Sequence, residues 1–301
     1  MAKKSGGGGC LVLVLVIGLL GFGYYKWQHG SSAAPPSGED TGGGTGRYVA
    51  LGDSYTSSPR TGAQSGTPAG CDRSDNDYPH LVSARVKPAE FADVSCSGAT
   101  TGNLTAPQKT KNGTNPAQLD AVTKSTTLVT LGIGGNDIGF IALAPSCTTI
   151  HPNGSPCKDR LTAGGHDELA ERIDATGPKV GAILDKIHTK APKAKIVVVG
   201  YPTVLPDGDG CWPSLPVGSG DVAYMRDSLA KLNTMLKDQA KAHSAGFADT
   251  ATPGKGHDLC AASDVRWVEG LLPASPAAPL HPNARGEKGM ADAIVALLSL
   301  P

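Results

Sequence analysis

Ser54 closes a Gly52-Asp53-Ser54 turn that follows the apolar run Tyr48-Val49-Ala50-Leu51, so the sequence sets a hydroxyl on a strand-to-loop turn. There it can serve as a nucleophile. Gly-Asp-Ser alone carries little weight, because all three are common turn residues. Three later segments add to it: Gly98 in Ser95-Cys96-Ser97-Gly98-Ala99-Thr100, Asn136 in Gly132-Ile133-Gly134-Gly135-Asn136-Asp137 after the run Leu128-Val129-Thr130-Leu131, and His281 in His281-Pro282-Asn283. Acyl transfer needs a nucleophile, a base to take its proton, and donors aimed where the carbonyl oxygen turns negative. Ser54, His281 and a trio made of the Ser54 N–H, the Gly98 N–H and the Asn136 side-chain amide meet those needs. Glycines at 98, 134 and 135 let backbone approach a substrate oxygen that a Cβ would obstruct.

These residues must be carried by elements that converge. Strand-like runs at 48–51, 91–94, 128–131 and 195–200, with a weaker one at 246–248, alternate with helical patterns at 78–86, 167–189, 221–244 and 284–300. Such alternation predicts a parallel sheet with helices on both faces. Ser54, Gly98 and Asn136 then follow the carboxyl ends of successive strands, where open α/β folds place their ligand crevice. Val222, Met225, Leu229, Leu232 and Leu236 recur at three- or four-residue steps and form a buried helical stripe. Asn283 is placed as the N-cap of the last helix.

With its four blocks carrying Ser54, Gly98, Asn136 and His281 in this order, the chain resembles the SGNH (GDSL-type) hydrolase family over roughly residues 47–301. It is most similar to the secreted bacterial esterases and lipases with three disulfides. The resemblance implies a three-layer α/β/α sandwich, flavodoxin-like, with a central parallel sheet of about five strands. It also implies a serine esterase or lipase that hydrolyses carboxylic esters through an acyl-Ser54 intermediate, with no metal and no cofactor. Deacetylation of carbohydrate and phospholipid hydrolysis use the same site and remain alternatives, as does a non-catalytic surface-binding module. The blocks depart from the family pattern twice. Tyr55 stands where the family has Leu, and Ala278 stands where many members carry an aspartate three residues before the histidine. An imidazole Nδ1–H needs only an acceptor to fix its tautomer, so the backbone carbonyl of Ala278 or Pro279 is expected to orient His281, making Ser54 and His281 a dyad.

Each residue also has a plainer reading. Asn136 and Asp137 are good helix caps, and a capping role is expected beside the oxyanion role of Asn136; Asp137 is expected to bond backbone in its loop. His257, next to Asp258, is the rival base, but adjacent side chains rarely face each other. His80, His151 and His243 stand in no comparable context. Cys147, His151 and Cys157 fit no common zinc spacing.

Six of the seven cysteines, Cys71, Cys96, Cys147, Cys157, Cys211 and Cys260, fall in the folded region. An even set predicts disulfides, for which fifteen pairings are open. Loop closure together with the family resemblance favours Cys71–Cys96, Cys147–Cys157 and Cys211–Cys260, bonds that persist in an oxidising compartment. The remaining cysteine, Cys10, opens an apolar stretch at 10–25 preceded by Lys3 and Lys4, on the border between a signal-peptide core and a short membrane span. Residues 1–28 are read as a signal anchor in preference to a cleaved signal, 29–46 as a Gly/Ser/Pro-rich linker, and 47–301 as the hydrolase domain, outside the cytoplasm. The 27 basic and 27 acidic side chains balance, and no basic patch invites nucleic acid. The expected partner is a small-molecule, lipid or polysaccharide ester, the membrane is met only through the N-terminal segment, and the sequence assigns no oligomeric state.

Overall fold

The structure is a computed structural model that describes residues 46–299. The expected anchor and all but the last residue of the linker lie outside the described residues. Five parallel strands, β1 (Arg47–Gly52), β2 (Glu90–Asp93), β3 (Thr126–Gly132), β4 (Lys195–Val199) and β5 (Gly246–Ala248), form one sheet in the order β2-β1-β3-β4-β5. Four long helices accompany it: α1 (Tyr78–Val86), α2 (Glu168–Lys190), α3 (Ser219–Ala242) and α4 (Ala284–Leu298). Among the described residues, no helix is long and apolar enough to cross a membrane.

Side-chain alternation along the strands decides which helices cover which face. Val49 and Leu51 of β1 join Val129, Leu131 and Val198 in the cluster that includes Leu184 of α2 and Leu232 of α3. Tyr48 and Ala50 point the other way, into a smaller cluster with Tyr78 and Val82 of α1 and Met290 and Ile294 of α4. Each such buried aliphatic side chain contributes about 2 kcal/mol of transfer free energy. The two-sided burial therefore fixes the register, since a one-residue slip would turn both sets outward.

Helix starts follow the capping chemistry. Asp77 Oδ1 accepts the His80 N–H at 2.8 Å at the start of α1, Asp167 Oδ1 accepts the Ala170 N–H at 3.1 Å at α2, and Asn283 Oδ1 accepts the Arg285 and Gly286 N–H groups at α4. An antiparallel pair, Gln108–Thr110 with Gly113–Asn115, has no counterpart among the expected strands. It is three residues a side and polar, so it carries no hydrophobic pattern to read. From β1 the chain crosses to β2 on one side of the sheet, and from β3 it proceeds to β4 on the other. A crevice opens at that switch, outside the carboxyl ends of β1 and β3.

Candidate active site

At the end of β1 a buried side-chain amide takes over strand pairing: the Gly52 N–H donates to Gln118 Oε1 at 2.8 Å, and Gln118 Nε2 donates to the Gly52 carbonyl at 2.9 Å. A Cβ at residue 52 would stand 2.0 Å from Thr56 Oγ1 and 2.6 Å from the Gly132 carbonyl, so only glycine fits. Asp53 then caps the single helical turn Ser54–Ser57, its Oδ1 accepting the Tyr55 N–H at 2.9 Å. Its other oxygen accepts the Tyr201 hydroxyl at 2.5 Å, and Tyr201 in turn accepts the Gly135 N–H at 2.7 Å. Burial pushes the Asp53 carboxyl up to about 7, against the pull of these donors. The turn carrying Ser54 and the loop carrying Asn136 are thereby stitched together through Tyr201.

His281 Nε2 lies 2.8 Å from Ser54 Oγ, and His281 Nδ1 lies 2.7 Å from the Pro279 carbonyl oxygen. A carbonyl can only accept, so Nδ1 carries the hydrogen and the Nε2 lone pair faces the serine hydroxyl. Burial pushes the imidazole below its usual range, partly offset by the Pro279 carbonyl. The neutral, proton-accepting form is therefore the one held at neutral pH. Of the two carbonyls expected to orient His281, Pro279 meets the ring, while Ala278 accepts the His281 backbone N–H at 3.2 Å. The segment is fastened further by Glu269, which is fully buried. Its N–H donates to the His281 carbonyl at 3.0 Å, and its carboxylate accepts Asn283 Nδ2 at 2.7 Å and the Ala274 N–H at 2.8 Å.

Gly98 sits at φ +78°, in the left-handed region that favours glycine. The Cys71–Cys96 disulfide and a Ser97 N–H bond to the Cys71 carbonyl at 3.0 Å hold its turn. Among the described residues, neither the Ser54 N–H nor the Gly98 N–H has a protein acceptor. Asn136 Nδ2 donates one hydrogen to the Ala99 carbonyl at 2.9 Å, tying the Gly98 loop to its own and leaving the second hydrogen free. Ser54 and Asn136 line one cavity of about 10 Å³, with Phe140, Ile141 and Leu229 among its walls. That is room for roughly one water.

Asn136 and Asp137 do not cap the next helical turn, contrary to expectation. That turn, Phe140–Leu143, follows Gly139 and has no side-chain cap. Asp137 instead accepts the Thr101 N–H at 2.9 Å and the Thr101 hydroxyl at 2.5 Å, so both side chains bind the preceding loop. His257 is kept apart from Ser54: its Nδ1 bonds the Val265 carbonyl at 2.7 Å and its ring stacks on Trp267. Cys147 is bonded to Cys157 and Cys211 to Cys260; nearby Asp221 accepts the Cys157 and Lys158 N–H groups. Sequence reasoning missed Tyr201, Gln118 and Glu269. Tyr201 alone left a signal, since it follows the end of an apolar strand where site residues gather.

Residues 50–288 match the model of the GDSL-like lipase/acylhydrolase family. The chain belongs to that family, and it is a carboxylic ester hydrolase. Among its relatives, lipase 2 of Streptomyces coelicolor is 38% identical over 262 residues, 84% of this chain and 86% of the relative. Two solved structures share the architecture. Phospholipase A1 of Streptomyces albidoflavus is 27% identical, with a TM-score of 0.71 over 84% of this chain and 99% of that one. The extracellular lipase of Streptomyces rimosus is 28% identical, with a TM-score of 0.66 over 84% and 100%. Three disulfides in such a domain belong to an oxidising compartment outside the cytoplasm.

Proposed function

We propose that the ester is cleaved by a Ser54–His281 dyad, on lipid acyl esters. Ser54 Oγ attacks the carbonyl carbon while His281 Nε2 takes its proton. The resulting oxyanion is held by the Ser54 and Gly98 N–H groups and the free amide hydrogen of Asn136. His281 then protonates the leaving alkoxide, giving the alcohol and the acyl-Ser54 ester. Water, deprotonated by the same imidazole, releases the acid and restores Ser54. The Pro279 carbonyl holds the tautomer throughout. The observation that carries this reading is the pair of contacts on His281, 2.8 Å to Ser54 Oγ and 2.7 Å to the Pro279 carbonyl.

The preference for lipid esters is supported by the apolar side of the cleft. Phe140 and Ile141 line both the cavity at Ser54 and a second, wholly apolar pocket walled by Val204, Leu215, Met225 and Leu280. That pocket is about 20 Å³, and an acyl chain would lie along the apolar side chains that line it. Relatives named lipase and phospholipase A1 fit this preference. The N-terminal apolar stretch would hold the domain at a membrane surface, outside the cytoplasm. Hydrolysis of a p-nitrophenyl acyl series by the protein, with Ser54→Ala alongside, tests the reading. The expected result is turnover rising from acetyl to longer chains and lost in the variant; turnover confined to acetyl would favour carbohydrate deacetylation, and none at any length would favour a binding module.

A further inference from the structure

Tyr55 marks one of the two places where the chain departs from its family's block pattern, and the other, Ala278, removes the carboxylate that would orient the base. Tyr55 meets the segment that follows Ala278. Tyr55 belongs to the same helical turn as Ser54 and is buried, and its hydroxyl donates to the Leu280 carbonyl at 2.7 Å. Its ring centroid lies 5.0 Å from that of His281, and the edge of Tyr201 packs against it. A leucine at this position would fill space but could donate nothing.

Leu280 needs such a donor. It sits at φ +63°, a conformation that L residues with a branched side chain resist. Such a residue persists only where its surroundings over-determine it. Its two flanking peptides are each fastened: the Leu280 N–H donates to the Glu269 carbonyl at 3.1 Å, and the Leu280 carbonyl takes the Tyr55 hydroxyl. The Pro279 carbonyl shares a peptide plane with the Leu280 N–H, whereas the Leu280 carbonyl lies in the plane that leads into His281. The Leu280 torsions therefore set where the Pro279 oxygen points relative to the imidazole.

We propose that Tyr55 is a positioning residue for the hydrolysis, its hydroxyl locking the Leu280 turn so that the Pro279 carbonyl does the orienting work of the absent aspartate. This inference rests on the reading of Ser54 and His281 as the catalytic pair. Tyr55→Phe removes one oxygen and keeps the ring. It is expected to lower kcat about tenfold with KM little changed, since only alignment of the base is lost. The acidic limb of kcat/KM should also move to lower pH, because the Pro279 bond is what raises the His281 pKa and no charged side chain contributes to its shift. Rates are taken per active site titrated with a fluorophosphonate, so a partly misfolded preparation still gives an answer. Wild-type kcat in Tyr55→Phe overturns the proposal, as does a fall in kcat with an unmoved acidic limb. Activity surviving in Ser54→Ala or His281→Ala would overturn the dyad reading instead.

Discussion

Among the described residues two histidines face a serine, and the one with the more complete set of partners is the one outside the cleft. His80 has a carboxylate on Nδ1, Asp77 Oδ1 at 2.7 Å, and Ser65 Oγ 3.4 Å from Nε2. His281 has only a carbonyl on Nδ1, yet its serine is at 2.8 Å. By residue type the first is a Ser-His-Asp set and the second is not. What separates them is the backbone around each serine. The Ser65 N–H is spent on the Arg73 carbonyl at 2.8 Å, in a loop away from the sheet. The Ser54 N–H has no protein acceptor among the described residues and stands at the end of β1, beside the free amide hydrogen of Asn136. Asp77 is also committed elsewhere, since the same Oδ1 caps α1. Donors for a developing negative charge, more than an acid behind the histidine, distinguish the catalytic candidate.

Exchanging the two rings tests this most strongly. His281→Ala is expected to lower kcat on a p-nitrophenyl ester by about 10⁴-fold, the scale on which loss of a catalytic base is felt. His80→Ala is expected to stay within about twofold, the usual result for a side chain that neither touches substrate nor positions the base. Matched losses in steady-state kinetics would erase the contrast. The second test removes the donor feature itself. Asn136→Ala should lower kcat by about 10²-fold, as loss of one oxyanion donor does. Asn136 also ties the two loops through the Ala99 carbonyl, a bond that Asn136→Asp loses as alanine does; its carboxylate in addition repels the oxyanion, so a fall beyond that of alanine reads the charge at the site and not the lost tie.

The contrast also explains what was legible from residues alone. Strand ends at Leu51 and Leu131 could be placed because an apolar run meets glycine there, and the start of α4 could be placed because Asn283 caps it. The cysteine pairs followed once the family was recognised. In the sequence His80 stands in no context that marks a base; the structure shows its carboxylate partner to be Asp77, three residues earlier, in the capping position of α1. Tyr201, Gln118 and Glu269 act through bonds to residues up to 148, 66 and 14 positions distant. Such partners leave no local period or spacing. The choice between Ala278 and Pro279 turned on a left-handed residue at Leu280, which nothing in its type announces.

The smallest expected effect is on stability, and its main source is on the His80 side. Asp77 and Asp93 bring carboxylate oxygens within 4.8 Å of one another, each has one oxygen without a partner among the described residues, and burial pushes both up to about 8. Facing them are Arg73, whose charge pulls the other way, the Asp75 carboxylate, the His80 ring and the buried Glu287, itself held well above its usual range by burial. Buried together, the two carboxyls keep protons that an unfolded chain, with carboxyls near about 4, gives up. Native protein thus binds more protons than unfolded protein across that window, so the stability contributed is full below pH ~4 and is lost as pH rises through ~8. The thermal midpoint should therefore fall from pH 5 to pH 9. In Asp77→Asn the amide oxygen can still cap α1 while one of the two buried titrating carboxyls is removed. The slope should flatten without vanishing, because Asp53 is raised to about 7 in the same direction, and activity at pH 7 should be kept. An unaltered slope in thermal scans would mean that Asp77 does not hold the extra proton; a collapse of activity would mean that the region below α1 is coupled to the cleft after all.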